Sequence, residues 1–346
     1  MAIAVGRSGA GHGLSQARRW RLSTRAWVRI PGAIAVAMAT LIALRAGAAW
    51  GDELAPVKLG IAKLGAMTDV WIADKNGIFK KHGLDLQIVE IPNASQTLQV
   101  LQSKSVDISL QIPGGAFQAK EQGFDIVLVG QNETAGTTPP VSNAVMVPVN
   151  SPATSIKDLV GKRIGSASPH GQSFAALKEL FQRAGVSMDG VQFVLAPFPT
   201  HADLLRSGQV DAVGALDPYT TQIVKSGYGR VLSWFMIETI PDQPVGAWWA
   251  LRSWADQHPR EIRAFQDSVK EAQDYLNADP AHAKQLVADY TGLDIELVKG
   301  MSITWKSAIN PAIWQAVADM MFRQGELQKK HDVSEYLGSV SAYVVN

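Results

Sequence analysis

The sequence predicts an α/β fold built from two similar lobes, and three observations favour it. Residues 101–107 and 205–211 share the pattern L-x-S-x-x-V-D. Short apolar segments with strand character alternate with helical ones, which is typical of a parallel or mixed sheet covered by helices. A glycine ends a helix ahead of each copy of the pattern, Gly83 before the first and Gly185 before the second. We expect a small ligand to bind in the cleft between the two lobes.

Residues 1–48 are predicted to be a signal peptide. Five arginines within residues 18–29 precede an apolar run at 30–44, and Ala46-Gly47-Ala48 matches the small-residue cleavage pattern. The run is shorter than the roughly 20 residues that a membrane span needs. We therefore expect cleavage and a mature protein in the bacterial periplasm, with an uncleaved anchor as the alternative.

Removing this segment changes the charge of the chain. The full sequence has 32 basic and 31 acidic residues, but seven arginines and no acidic residue lie in the first 48 positions. The mature chain would carry 25 basic residues against 31 acidic ones, a net charge of −6. This balance, with no basic cluster, argues against nucleic acid or anionic lipid as a partner.

The chain has no cysteine, which excludes disulfides, thiol chemistry and a lipid-modified cysteine anchor. The histidines show neither an H-x-x-x-H nor an H-E-x-x-H spacing, so no metal site is predicted. We expect a monomer without a cofactor.

The first part of lobe I is predicted to cover residues 55–143. Its strands are predicted at residues 57–62, 84–91, 108–110 and 126–129. Its helices are predicted from Thr68 to Asn76, from a cap at Asn93 or Ser95 to Ser103, and from Pro113 onward. Each helix is assigned from a polar or proline start, and Gly77 also ends the first one.

Lobe II is predicted to cover residues 144–243, and the chain then returns to lobe I over residues 244–346. Strands of lobe II are predicted at residues 144–147, 163–166, 193–195, 211–215 and 230–232. C-terminal helices on lobe I are predicted to begin near Pro259, Pro280 and Pro311, because proline is favoured in the first turn. Trp248 and Trp249 lie on a predicted strand, and core packing is the better interpretation for both.

The loop at residues 166–173 is the strongest candidate for a ligand site. It joins a strand to a helix, and a helix N-terminus offers free N–H donors and a partial positive charge to an anion. Ser168, Gly171, Gln172 and Ser173 supply backbone and hydroxyl donors there. His170 either pairs with the ligand or orders the loop.

Two further predicted helix starts also follow strands and could offer free N–H donors to a ligand. One is at Gly65-Ala66, and the other is at 113–115, which includes Gly114. Asp217, after a strand of lobe II, either caps a helix or points into the cleft. A serine near any helix start can also serve only as a cap.

Two other function classes stay open. Gly171-Gln172-Ser173 partly matches the G-x-S-x-G elbow of serine hydrolases, without the last glycine. His201, His258 or His282 would have to supply the base, and nothing in the sequence places them near Ser173. A sensory effector-binding domain would need a DNA-binding or signalling module, and the N-terminus offers an export signal instead.

The order of elements resembles the solute-binding proteins of ABC importers in the aliphatic sulfonate/nitrate/taurine group, which have the type II periplasmic-binding-protein fold. The motifs that carry the resemblance are Lys58-Leu59-Gly60-Ile61, Gly77-Ile78-Phe79, Val106-Asp107-Ile108, the segment 155–164, Val210-Asp211-Ala212 and Asp217-Pro218-Tyr219. The resemblance implies two lobes joined by a two-strand hinge, and a ligand delivered to a membrane permease with its ATPase subunit. It also implies ligand contacts from Gly65 and Ala66, from Gln111 to Gly114, and from Ser168 to Ser173.

The chain departs from the sulfonate-binding pattern at two places. Pro244, Val245 and Gly246 stand where polar side chains are usual, and Leu216 stands where tryptophan precedes Asp217. The pocket is therefore expected to be more apolar or roomier. A sulfonate-like anion is the first choice, with nitrate, taurine, an aromatic sulfonate or a pyrimidine as alternatives.

We expect helix N-termini and hydroxyls to hold the anion, because the predicted cleft loops contain no arginine and Lys63 is expected to be the only nearby cation. The resemblance extends to fungal thiamine-pyrimidine synthases, which share the fold but use a cysteine-rich segment. A chain without cysteine is expected to bind a ligand, a thiamine precursor being one option, and not to act as such an enzyme.

Overall fold

The structure of the protein, a computed structural model, describes residues 54–92 and 96–345. The predicted signal peptide and the predicted cap at Asn93 or Ser95 lie outside the described residues. Within the described part, no helix combines the length and the apolar character needed to cross a membrane.

Strands and helices alternate as predicted. The strands are β1 (Ala55–Ile61), β2 (Leu84–Glu90), β3 (Ile108–Gln111), β4 (Ile126–Thr134), β5 (Ala144–Pro148), β6 (Arg163–Ser166), β7 (Gln192–Leu195), β8 (Ala212–Ala215), β9 (Gly229–Ser233), β10 (Pro244–Leu251) and β11 (Thr304–Trp305). The helices are α1 (Thr68–Lys75), α2 (Ile78–Lys81), α3 (Thr97–Gln102), α4 (Pro113–Glu121), α5 (Gln172–Arg183), α6 (His201–Arg206), α7 (Tyr219–Lys225), α8 (Phe235–Thr239), α9 (Arg252–Ala255), α10 (Pro259–Ala278), α11 (Pro280–Thr291), α12 (Ile295–Gly300) and α13 (Pro311–Arg323). The helix starts predicted at Pro259, Pro280 and Pro311 are confirmed.

The strands form two mixed sheets with the same internal order, which confirms the predicted fold class. The first sheet runs β11-β4-β10-β3-β1-β2 and the second runs β7-β6-β8-β5-β9. In each, three parallel strands adjoin one antiparallel strand, β10 in the first sheet and β5 in the second. We call each sheet with the helices packed on it a lobe, and the contact zone between the two lobes the seam.

The repeated L-x-S-x-x-V-D pattern performs the same task in both lobes. Asp107 accepts a hydrogen bond from the backbone N–H of Lys58 at 2.8 Å, in the middle of β1. Asp211 accepts one from the backbone N–H of Arg163 at 2.9 Å, at the start of β6. The valine before each aspartate is buried. The pattern therefore fixes the central parallel strand of each sheet.

The chain crosses between the lobes twice, after β4 and before β10, and the two crossing segments are paired. Ala135 N–H donates to the Gln243 carbonyl at 2.8 Å, and Asp242 N–H donates to the Gly136 carbonyl at 2.7 Å. The register of β4 and β10 shifts on both sides of Gly246. Such irregularities re-aim side chains near a strand end, and here they lie next to the crossing.

Both tryptophans of β10 are in the core, as predicted. Trp248 packs edge-on against Phe265 on one face of the first sheet, and Trp249 packs against Trp314 on the other. The cluster around Trp249 continues through Met321 of α13 into residues of the second lobe. On the side of α13, therefore, the two lobes share one apolar core.

Candidate functional site

The N-terminus of α5, predicted to bind an anion, is bound to a carboxylate of the protein itself. Gly171, at a φ of 92°, donates its N–H to Glu326 Oε2 at 2.9 Å. Lys178 Nζ lies 2.6 Å from Glu326 Oε1, and His170 Nδ1 lies 3.7 Å from Oε2. The Glu326 side chain is only 3% exposed. An external anion would have to displace this carboxylate to reach Gly171.

Ser168 orders the loop ahead of α5. Its Oγ donates to the His170 carbonyl at 3.0 Å, and the Ser166 hydroxyl donates to the Ser168 carbonyl at 2.7 Å. The hydroxyl of Ser168 is therefore engaged within the loop in this conformation.

Ser173 is exposed, and no described histidine hydrogen-bonds to it. The His201 ring bonds to the Ala196 carbonyl at 3.0 Å, and the His258 ring bonds to the Trp254 carbonyl at 2.8 Å. Among the described residues, then, Ser173 has no general base. No group of three His, Cys, Asp or Glu side chains suited to a metal occurs in the described part either.

The N-terminus of α4, a predicted ligand contact, is hydrogen-bonded to a residue of the second lobe. Gly114 N–H donates to Gln172 Oε1 at 3.2 Å. A Cβ added at Gly114 would lie 2.8 Å from Met321 Sδ and 2.9 Å from Gln172 Cβ, so only glycine fits. Nearby, Gln111 Oε1 accepts from its neighbour's backbone N–H. Gly114 and Gln172 thus contact each other and leave no space between them.

Asp217 caps a helix and also bridges the lobes. Its Oδ1 accepts from the N–H and hydroxyl of Thr221 in α7, at 3.1 and 2.7 Å. Its Oδ2 accepts from Ser302 N–H of the first lobe at 2.8 Å. Burial raises the pKa of Asp217, and the bonds from Ser302 and Thr221 oppose this shift. Both interpretations of Asp217 therefore hold in part, since the carboxylate that caps α7 lies in the seam.

The expectation that Lys63 is the only cation near these loops is wrong. Lys178 pairs with the carboxylate at Gly171, and the Lys284 ammonium donates to the Met301 carbonyl and acts on Asp217 by its charge. Burial lowers the pKa of Lys284, which Asp217 opposes. Lys284 lies on α11, distant in sequence from every predicted loop, whereas Lys178 lies only five residues beyond Ser173 and pairs with Glu326, which is distant.

Polar side chains of the first lobe hydrogen-bond to the backbone of the loop after β1. The Ala66 carbonyl accepts from Trp305 Nε1 at 2.8 Å and from Asn132 Nδ2 at 3.3 Å. The Gly65 carbonyl accepts from the Thr68 hydroxyl at 2.8 Å. These bonds fix the backbone at Gly65 and Ala66, where the family resemblance implies ligand contacts.

A buried carboxyl, Asp69, lies in the first turn of α1. Its Oδ2 accepts from Asn132 Nδ2 and from Gln273 Nε2, both at 2.9 Å, and its Oδ1 accepts from Val70 N–H at 2.7 Å. Burial raises the pKa of Asp69 to about 7, although these hydrogen bonds lower it. The other oxygens of the two amides, Asn132 Oδ1 and Gln273 Oε1, are buried without a hydrogen-bond donor.

Glu133, next along β4, is a second acidic group with a strongly shifted pKa. Burial, and then the charges of Asp217 and Asp69, raise the pKa of Glu133 to about 8. Because Asp217 belongs to the second lobe and Asp69 to the first, Glu133 lies within reach of both sides of the seam. Sequence reasoning missed it; the signal was three polar residues, Gln131, Asn132 and Glu133, directly after an apolar strand.

The structure sorts the predicted site residues into two groups. Those on the side of α13 are tightly packed or bound to each other: Gln111, Gly114, Ser168, His170, Gly171 and Gln172. Gly65, Ala66 and Asp217 lie with Glu133 on the polar side of the seam. Ser173 contacts neither group through a hydrogen bond within the described residues. Whether these residues bind ligand stays a prediction.

Residues 66–283 match the protein family described as NMT1/THI5 like. A putative binding protein of Brucella abortus is 26% identical over 316 residues, which covers 87% of this chain and 95% of that protein. A 4-amino-5-hydroxymethyl-2-methylpyrimidine phosphate synthase of Saccharomyces cerevisiae is 22% identical over 232 residues, covering 64% of this chain and 66% of the synthase.

Among solved structures, the periplasmic aliphatic sulphonate binding protein SsuA of Escherichia coli superposes with a TM-score of 0.69 at 21% identity. The superposition covers 82% of this chain and 97% of that protein. The fold is therefore the periplasmic-binding-protein fold. At this identity the likeness carries no statement about the ligand.

Proposed function

The chain belongs to the NMT1/THI5-like family, and from this premise we propose that it is the solute-binding component of an ABC importer. It would capture a small molecule in the periplasm, as a monomer, and deliver it to a membrane permease with its ATPase subunit. The observation that carries the proposal is the pair of like-ordered sheets joined by paired crossing segments. Two lobes on a two-strand connection can close over a ligand by a hinge motion.

The ligand class is the open part of this proposal. The sequence favoured a sulfonate-like anion, with a pyrimidine as an alternative. The contacts of α4 and α5 support the alternative, because the N-terminus of α4 is bonded to Gln172 and that of α5 to Glu326. The acidic groups near Gly65 and Ala66 would further repel an anion there.

Thermal-shift screening of the purified protein tests the proposal, since a ligand that binds the folded state raises its stability by mass action. The panel contains sulfonates, nitrate, carboxylates and pyrimidines. We expect at least one strong stabiliser, and mass spectrometry should recover it chemically unchanged. Conversion of the compound into a product would instead support an enzyme, and Ser173→Ala would show whether that serine is responsible.

A second experiment addresses location. Expression of the full chain in a Gram-negative host, followed by fractionation and N-terminal sequencing, should give a periplasmic protein that starts near residue 49. A membrane-bound product with its N-terminus intact would support the anchored alternative and contradict a soluble carrier.

A further inference from the structure

Residues 324–331, which we call the strap, follow α13 and contact both lobes. They form no helix and no strand. Gly325, at a φ of 73°, turns the chain directly after α13, and Leu327 is buried. Because the strap has no secondary structure of its own, its position depends on its contacts with the two lobes.

One end of the strap is bound to α4 of the first lobe. Glu121 Oε1 accepts from the backbone N–H groups of Gln328 and Lys329, at 2.8 and 3.0 Å. Gln118 Nε2 donates to the Glu326 carbonyl at 3.2 Å. The Glu121 side chain is only 9% exposed. A carboxylate that binds two backbone N–H groups makes charge-assisted bonds, so Glu121 anchors the strap to the first lobe.

The other end of the strap is bound to α5 of the second lobe. Besides the bonds of Glu326 to Gly171 and Lys178, Gln324 Nε2 donates to Glu179 Oε2 at 2.9 Å. Lys178 Nζ also donates to the Gln324 carbonyl at 3.0 Å. The Glu326 and Glu179 side chains are nearly buried. Contacts between charges that are shielded from water are screened little by salt.

The opposite, polar side of the seam is joined by weaker contacts. Ser302 N–H donates to Asp217, and Lys225 donates to the Glu296 carbonyl. Lys225 and Glu296 are both exposed, so water can replace their bond at little cost. The facing helices α12 and α7 belong to separate apolar clusters.

Separating the lobes therefore costs more on the side of α13. There it would expose the apolar core that the lobes share and break the bonds of Glu326. Burial of apolar surface stabilises a contact by about 25 cal/mol per Å². On the polar side no such common core has to be opened.

Given the carrier function proposed above, we propose that the strap clamps α5 to the first lobe, so that the lobes stay together near α13 and separate at Asp217. Glu121 anchors the clamp and Glu326 grips α5. Because a strap holds only while both of its ends are bound, loss of either carboxylate should release α5. This coupling distinguishes a clamp from a local helix cap at Glu326.

Hydrogen exchange of single amides, measured by NMR on the ligand-free parent protein, tests the direction of opening. Ser302 N–H and Gly171 N–H each donate to a carboxylate of the other lobe. After correction for intrinsic rates, we expect Ser302 to exchange faster than Gly171, because local opening exposes an amide to water. The reverse order would contradict separation at Asp217.

Variants at the two ends test the clamp itself. Glu326→Ala and Glu121→Ala should each speed up exchange at Gly171 by about tenfold or more, although Glu121 does not touch Gly171. The double variant should exchange no faster than the faster single one, because a strap released at one end holds nothing. Glu335→Ala is the matched control: it removes an exposed ion pair with Lys120 on α4 and should change nothing.

Three results would overturn the clamp. One is an exchange rate at Gly171 that Glu121→Ala leaves at the parent value. Another is an equal acceleration at the buried Val213 amide of β8, because a general loss of stability would then explain the effect. The third is a double variant whose acceleration is the product of the two single ones, the sign of independent sites. Since the experiment uses no ligand, each of these results leaves the carrier function to the thermal-shift screen.

Discussion

The buried carboxyl of Asp69 allows a sharp test of the electrostatics on the polar side of the seam. Asp69 is fully buried, and burial raises its pKa from 3.8 to about 7. The folded state therefore holds the proton more tightly than the unfolded chain does. Stability should fall as the pH rises from about 4 to about 7, because ionisation inside the protein is penalised.

The size of this effect follows from the shift. A difference of about three pKa units corresponds to about 4 kcal/mol at 1.36 kcal/mol per unit. Asp69→Asn keeps an acceptor oxygen for Asn132 and Gln273 and removes the ionisation. Its amide nitrogen then replaces Oδ1, which accepts from Val70 N–H at 2.7 Å, so this bond is lost. We expect the variant to be as stable as the parent at pH 5 and about 1–4 kcal/mol more stable at pH 8.

Urea denaturation followed by circular dichroism at pH 5, 6.5 and 8 measures this difference. Asp74→Asn, at an exposed position of the same helix, is the matched control and should parallel the parent at every pH. A variant at Asp69 that loses stability at pH 8, relative to the parent, would show that the ionised carboxylate is needed. The description of Asp69 as a neutral, buried acid would then be wrong.

Two further predictions concern the seam. Gly114→Ala places a Cβ 2.8 Å from Met321 Sδ. It should lower the free energy of unfolding by about 1–3 kcal/mol or hold the lobes apart, which X-ray scattering would show as a larger radius of gyration. The control Gly115→Ala, whose Cβ meets only a flexible side chain at 3.1 Å, should do neither. Glu326→Gln should destabilise the protein by about 1–3 kcal/mol in urea titrations, because Lys178 loses a buried charged partner. A loss below about 0.5 kcal/mol, the size expected of a surface ion pair, would contradict this prediction.

Repeated local patterns explain why the sequence predicts the two sheets. The Val-Asp pairs at 106–107 and 210–211 precede equivalent strands, and their aspartates bind backbone N–H groups of β1 and β6. Such contacts depend on residue types that recur at a fixed place in each lobe. The lobe boundaries near residues 144 and 244 stay predictions.

The site is less predictable because its decisive contacts join distant residues. Glu326 binds Gly171 across 155 positions, and Gln273 binds Asp69 across 204. No local sequence pattern indicates that a carboxylate from a C-terminal segment binds a helix N-terminus. The sequence predicts helix ends that can bind an anion, but it cannot show that the protein fills one of them with its own carboxylate.

A reversible crosslink tests most directly whether ligand enters by separation of the lobes. The chain has no cysteine, and a Cβ built at Gly300 lies 3.8 Å from Thr221 Cβ across the seam, close to the mean of about 3.8 Å in disulfides. In the double variant Thr221→Cys, Gly300→Cys, any compound that stabilises the parent in the thermal-shift screen should bind when the thiols are reduced and fail to bind once they are oxidised. Equal binding rates in both states would contradict a site enclosed between two moving lobes.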